Sequence, residues 1–231
     1  WGRGGHGRKR AAGLFNCTGK GVTMAISVLS TPAINALAYS GTFGSAGEYH
    51  VVIERMDTTS SSLRSVAAGI TLGGVSMTLL ASKNQESEGL IAFWGMHVTP
   101  ALAGTAFSMV RTAGTYALTD RVDAVVLSGV STDPLFAKHE YRNGAGSWTS
   151  YSHIIATDDG GMLLDYIVPV TGYAYISGQS WLLTSSYSAS KKDSPGNGTT
   201  TVGWTFSAMR FVYACVSLRA LRVGGGIMGI V

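Results

Sequence analysis

Three long stretches of this chain, residues 65–82, 89–110 and 166–190, contain no Asp, Glu, Lys or Arg. Each is long enough to cross a bilayer as a helix, so the first question is whether they do so or fold as strands in a protein core. The middle stretch carries His97, Thr99, Pro100 and Gly104 near its centre, a grouping that reads as a turn. What remains on either side, Leu90–Val98 and Thr105–Val110, has ordinary strand length. The stretch 166–190 is rich in Ser, Thr, Gly and Tyr, a poor surface to set against lipid. The expectation is therefore no membrane insertion.

The same punctuation recurs down the chain. Runs rich in Val, Ile, Thr, Tyr, Phe and Trp are bounded by Gly, Asn, Asp and Ser clusters, which is the strand-and-turn pattern. The runs are Tyr49–Arg55, Val66–Leu72, Val75–Ala81, Leu90–Val98, Thr105–Val110 and Val122–Ser128. They continue with Ser147–Thr157, Met162–Val168, Ser180–Ser188, Thr201–Ser207 and Phe211–Arg219. Gly73-Gly74 suits a two-residue hairpin, since both positions accept positive φ, and Asp158-Asp159-Gly160-Gly161 suits another turn. Val202, Trp204, Phe206 and Ala208 alternate with Gly203, Thr205 and Ser207, the period of two of a strand. Nowhere do apolar residues hold a 3.6 period over three turns. The reading is all-β: one two-sheet antiparallel sandwich of about eleven strands over residues 49–222. Residues 24–48 form an N-terminal arm or first strand, and 223–231 a Gly-rich tail.

Charge is unevenly placed. Residues 1–23 hold Arg3, Arg8, Lys9, Arg10 and Lys20 and no acid, which leaves 12 of the 17 bases against all 13 acids in the rest of the chain. That body is close to neutral, so a basic surface gripping many phosphates is not expected, and nucleic acid is excluded as a partner. Lys20-Gly21-Val22-Thr23 back-translates into a purine-rich run just before Met24, as a ribosome-binding site would. Residues 1–23 then read as a basic leader translated from upstream of a start at Met24; the competing reading is a basic arm for acidic partners.

Catalytic and metal-binding signatures are thin. Gly13 to Gly21 echoes a phosphate loop, with five residues between the glycines instead of four and Gly21 where Ser or Thr should hold magnesium. His50, His97, His139 and His153 have no metal-ligand spacing, and no Ser lies in a Gly-x-Ser-x-Gly elbow. Asp158 and Asp159 read as turn caps, Glu86 and Glu88 as loop residues, and Cys215 as a buried thiol. No catalytic residue, cofactor or metal is expected. Trp94, Trp148, Trp181 and Trp204 lie within strand runs, where core packing is the default. The one candidate binding site is the stretch Tyr141 to Trp148, a flexible loop for which an ordinary turn is the favoured reading. Its Tyr141, Arg142, Asn143 and Trp148 combine residue types that stack on sugar rings or anchor protein interfaces.

From about Leu63 to Leu221 an ordered set of pieces runs down the chain. It comprises Thr71-Leu72-Gly73-Gly74-Val75-Ser76-Met77-Thr78; Ile91-Ala92-Phe93-Trp94-Gly95-Met96 with Pro100 and Gly104; and Ala124 to Ser131 with Asp133-Pro134. Then come Asp159 to Asp165, Gly178-Gln179 with Ser185-Ser186-Tyr187, and Val202 to Ser207 leading into Phe211–Leu218. In this order the chain resembles the β-sandwich modules of phage virion proteins and bacterial surface proteins, departing from them at Lys191-Lys192-Asp193 and in its tail. The resemblance implies a jelly-roll or immunoglobulin-like fold used for structure or adhesion. The expected function is a non-enzymatic component of a phage virion, a capsid decoration or a tail or fibre part, located in the particle. Its expected partners are other virion proteins and further copies of itself in a homo-oligomer. The alternative is a carbohydrate-binding or adhesive module at a bacterial surface, with a cell-surface glycan as partner.

Overall fold

The computed structural model describes residues 22–36, 38–56, 68–85, 89–112, 120–168, 174–175, 177–182 and 189–223. The tail from 224 onward, the leader up to 21, Glu86, Glu88 and the second half of the run Ser180–Ser188 lie outside the described residues.

Every regular element among the described residues is a strand. In chain order the first are β1 (Val22–Met24), β2 (Ser27–Ala36), β3 (Ser40–Thr42), β4 (Tyr49–Met56), β5 (Gly69–Leu72) and β6 (Val75–Ser76). Next come β7 (Thr78–Gln85), β8 (Gly89–His97), β9 (Ala106–Thr112), β10 (Asp120–Ser128) and the long β11 (Val130–Thr157). The last are β12 (Met162–Val168), β13 (Ala174–Tyr175), β14 (Ser180–Trp181), β15 (Ala189–Asp193) and the long β16 (Gly198–Val223). All pairings are antiparallel. No helix among the described residues is long and apolar enough to cross a membrane.

The expected all-β class is what forms, but the layering is richer than two sheets of about eleven strands. Among the described residues sixteen strands make a five-stranded sheet in the order β2-β10-β4-β8-β7, a four-stranded sheet β3-β9-β5-β6, and a seven-stranded sheet built on β16. The reason lies in β4, β8 and β10, which are apolar on both faces. Tyr49, Val51, Ile53, Ile91, Phe93, Val125 and Leu127 enter one core with Leu164, Tyr166, Val212, Ala214 and Val216 of the seven-stranded sheet. The alternate residues Val52, Ala92, Trp94, Met96, Val122 and Ala124 enter a second core with Ile70, Leu72 and Phe107 of the four-stranded sheet. A sheet covered on both faces reads as an unbroken apolar run, which is the physical meaning of the first part of the uncharged stretch, β8 at Gly89–His97. The hairpin at Gly73-Gly74 forms between β5 and β6, with φ of 57° and 81°.

A third core arises because the β11–β16 ribbon folds back on itself. β16 merges the two runs that sequence separates at Ala208-Met209-Arg210, and its halves then face each other. Val202, Trp204 and Phe206 of the first half pack with Phe211, Tyr213 and Cys215 of the second, and with Leu163 and Ile167 of β12. Phe206 and Phe211 meet edge to face at 5.0 Å. On β11 the ladder slips at the same bend: Asn143 stands opposite Phe211, whereas Trp148 stands opposite Met209. Gly144-Ala145-Gly146 occupies the surplus. Residues 141–148 are therefore part of a bulged strand and not a loop, because the glycines that suggest a turn bend a ribbon that stays hydrogen-bonded. At the chain start, β2 pairs with β10, and β1 takes in Val22 and Thr23, which pair with Val223 and Arg222.

Candidate functional site

The fold-back creates two adjoining features, a buried polar centre inside the ribbon and an aromatic array on its flank. The polar centre is Asp165 of β12, only 1% exposed. Its carboxylate accepts hydrogen bonds from Trp204 Nε1 at 3.0 Å, Gln179 Nε2 at 3.1 Å and Tyr213 Oη at 3.2 Å, and from the Ser190 hydroxyl. Gln179 in turn accepts from the Gly203 backbone N–H at 2.8 Å. Burial pushes the Asp165 carboxyl up to about 7, while the bonds from Ser190, Tyr213, Trp204 and Gln179 pull it down. Burial also pushes the Cys215 thiol and the Tyr213 phenol up, so Cys215 is a poor nucleophile. This centre joins both halves of β16 to β12, β15 and the segment before β14; its chemistry is structural.

Elsewhere buried carboxylates have cations beside them. Glu54 of β4 accepts from Trp94 Nε1 at 2.9 Å and lies 3.1 Å from Arg111 Nε. Asp123 of β10 accepts from Tyr166 Oη at 3.1 Å, with Arg55 Nε at 3.7 Å. Among the described residues no three His, Cys, Asp or Glu side chains come together as a metal site.

The aromatic array lies on one face of β11, where its two arms meet. Tyr141 stacks on Tyr151 with ring centroids 4.5 Å apart, and His139 stacks on His153 at 3.3 Å. His139 Nε2 and Tyr151 Oη share a hydrogen bond of 2.6 Å. Burial lowers the pKa of both imidazoles, and for His139 the neighbouring His153 lowers it further; burial raises the Tyr151 phenol. Trp148 caps the array 6.2 Å from Tyr141 and 6.3 Å from Phe211, with 42% of its surface exposed.

Of the four candidate residues, the structure brings together Tyr141 and Trp148. Arg142 is exposed and, by strand alternation, belongs to the opposite face from Tyr141. Asn143 is placed by its backbone opposite Phe211. The participants that sequence reasoning overlooks are His139, Tyr151, His153 and Phe211. A signal for the first three is present: His-x-Tyr at 139–141 and Tyr-x-His at 151–153 are mirror images about Gly146, as a strand folded at that glycine requires. Trp148 offers a ring face for stacking, while Tyr141 and Tyr151 are already satisfied by each other. The sequence matches no family model, no curated protein and no solved structure.

Proposed function

We propose that the protein is a non-enzymatic structural component of a phage virion, a capsid decoration or a tail or fibre part, that works through protein–protein contacts as a homo-oligomer. In this reading the five- and seven-stranded sheets are the two layers of a jelly-roll or immunoglobulin-like sandwich, and the four-stranded sheet is an added third layer. One observation carries the proposal: outermost strands bear exposed large apolar side chains. Leu29 lies on β2, Val75 on β6, Leu79 on β7, and Phe136, Trp148 and Ile154 on β11. These strands are outermost in their hydrogen-bonded order among the described residues. An edge strand offers unpaired backbone N–H and C=O groups to another chain; Pro32 on β2, Lys83 on β7 and Lys138 on β11 blunt part of these edges, and the exposed apolar side chains lie beside them. Symmetric self-assembly is the usual outcome. Mass spectrometry of gradient-purified particles tests the proposal: peptides of this chain are expected in intact particles, and a chain found only among unassembled proteins contradicts it.

A second reading, a carbohydrate-binding or adhesive module at a bacterial surface, is favoured by the exposed ring of Trp148. It expects glycan binding that weakens in Trp148→Ala, and a flat response across a glycan array removes it.

A further inference from the structure

A pocket of about 310 Å³ opens where β2, β3 and the start of β4 meet, away from the residues of the aromatic array. Sequence dictates why it is open. β2 carries Pro32, which has no N–H to give to a ladder and belongs on an edge strand. The β2–β10 ladder slips three times, between Val122 and Leu127, so β2 spends extra residues along β10 and bends away from it. The mouth is edged by the hydroxyl side chains Ser30, Ser40 and Thr42, and the floor by the buried rings of Phe107, Tyr39 and His50.

The polar machinery of this pocket is incomplete. His50 is 2% exposed, and its Nδ1 is hydrogen-bonded to Tyr39 Oη at 2.7 Å. Its Nε2 has no hydrogen-bond partner among the described residues, and the nearest charge, Glu48 Oε2, is 3.9 Å away. Glu48 is itself anchored through Oε1, which accepts the Ser45 N–H at 2.9 Å. Gly44 leaves room for it, since a Cβ there would collide with the carboxylate. Burial lowers the His50 pKa and raises that of Tyr39, so both are neutral near pH 7. The carboxylate favours the tautomer with the proton on Nε2, and Tyr39 then donates to Nδ1. A donor and an acceptor therefore face one another across a gap too wide for a direct bond. An oxygen about 2.8 Å from each satisfies both, provided that it accepts and donates at once. A hydroxyl does this, whether a water's or a ligand's, so the gap sets the chemistry of the bridging group and the pocket's size and lining set the ligand.

We propose that this pocket binds a neutral polyhydroxylated ligand the size of one sugar ring, with a ligand hydroxyl bridging His50 Nε2 and Glu48. The volume sits at the lower end of ligand pockets, roughly 300–1,000 Å³. Phe107 supplies an apolar floor for the C–H face of a sugar, and Ser30, Ser40 and Thr42 supply further hydroxyl partners at the mouth. Among the described residues no Lys or Arg lines the pocket, and the Glu48 carboxylate repels anions, so acidic ligands are disfavoured. An ammonium group satisfies Glu48 but has no lone pair for Nε2–H. The proposal goes beyond the structural role above and does not depend on it.

The test is saturation-transfer NMR of the intact protein with glucose, galactose, mannose and N-acetylglucosamine at millimolar concentration, read together with the imidazole resonances of His50. At least one sugar is expected to saturate and to shift His50. Glu48→Gln is expected to weaken binding about tenfold, the loss of one charge-assisted hydrogen bond. Thr42→Trp, an exposed change at the mouth, is expected to abolish it in a folded protein. If His50→Ala fails to fold, these two variants still decide. The proposal is overturned by silence from all four sugars, by sugar binding that survives both variants, or by tetramethylammonium producing the His50 shift where the sugars do not. Binding that is lost in Trp148→Ala and kept in Glu48→Gln places the sugar on the ribbon and overturns the pocket.

Discussion

The central five-stranded sheet and the folded ribbon each bury an interior, yet they are held by different means. β4, β8 and β10 bury apolar side chains on both faces, and their buried acids Glu54 and Asp123 lie beside Arg111 and Arg55. The ribbon instead encloses Asp165, whose hydrogen-bond donors Ser190, Gln179, Trp204 and Tyr213 are all neutral. Apolar burial is non-directional and tolerates sliding, because it scales with area removed from water. A carboxylate ringed by four donors has one geometry, so it fixes where the two halves of β16 meet. The sheet supplies bulk stability and the ribbon supplies register.

That contrast can be broken. The largest effect is expected from Trp204→Ala, which removes a completely buried ring and one donor to Asp165. By analogy with other buried aromatics it costs about 3–5 kcal/mol, measured by chemical denaturation. Phe93→Ala in the sheet is expected to cost a similar amount, but hydrogen exchange is expected to separate the two. Trp204→Ala exposes the amides of residues 198–206 selectively, whereas Phe93→Ala loosens the molecule as a whole. Equal loosening everywhere in both variants would erase the distinction.

Next in size is Asp165→Asn. It sets an amide N–H₂ against donors and is expected to cost about 1–3 kcal/mol. It also changes the pH dependence. A carboxyl raised to about 7 in the folded state, from 3.8, holds its proton more tightly when folded. The stability it contributes is therefore complete below about pH 4 and falls as pH rises toward 7. The stability difference between wild type and Asp165→Asn should narrow over that window, and a difference independent of pH would contradict the assignment.

A smaller effect is expected at the flank of the ribbon. His139 and His153 have folded-state pKa values below the ordinary 6.5, so the fold excludes their protons. Their contribution is whole above pH 6.5 and is lost as pH falls below it, when two stacked imidazoles would both become charged. The groups facing them are Glu140, Lys83, Tyr151 and Tyr213. Histidine NMR titration of wild type and His153→Gln checks this: in the variant the His139 midpoint should rise, because a like charge has gone. The smallest effect belongs to Trp148→Ala. Its exposed ring is expected to change stability by no more than about 0.5 kcal/mol while changing any surface recognition.

The same contrast decides what was legible in the sequence. Strand existence is legible where burial sets a pattern, so Met162–Val168 emerges with its observed bounds and Leu90–Val98 shifts by one residue at each end. The number of sheets is less legible, because an apolar run does not say whether one partner sheet or two cover it. The ribbon is hardest to see, since Gly144 and Gly146 look like a turn and Ala208-Met209-Arg210 like a gap. Its trace is the mirrored spacing: Val202, Trp204 and Phe206 reflect onto Cys215, Tyr213 and Phe211 just as His139 and Tyr141 reflect onto His153 and Tyr151. Local propensity rules do not register a reflection. Trp148 and Tyr141 are visible as exposed-site residue types, whereas their neighbours Tyr151 and His153 become visible only when the strand is folded at Gly146.

The fold-back of β16 is most directly tested by NOE spectroscopy of the Trp204 indole. Its Nε1–H is expected to exchange slowly with solvent and to show cross-peaks to Tyr213 and Leu163, which an open, continuously extended ribbon would hold far apart. A rapidly exchanging indole with no contact to either residue would contradict the folded ribbon, and with it the aromatic array that it builds.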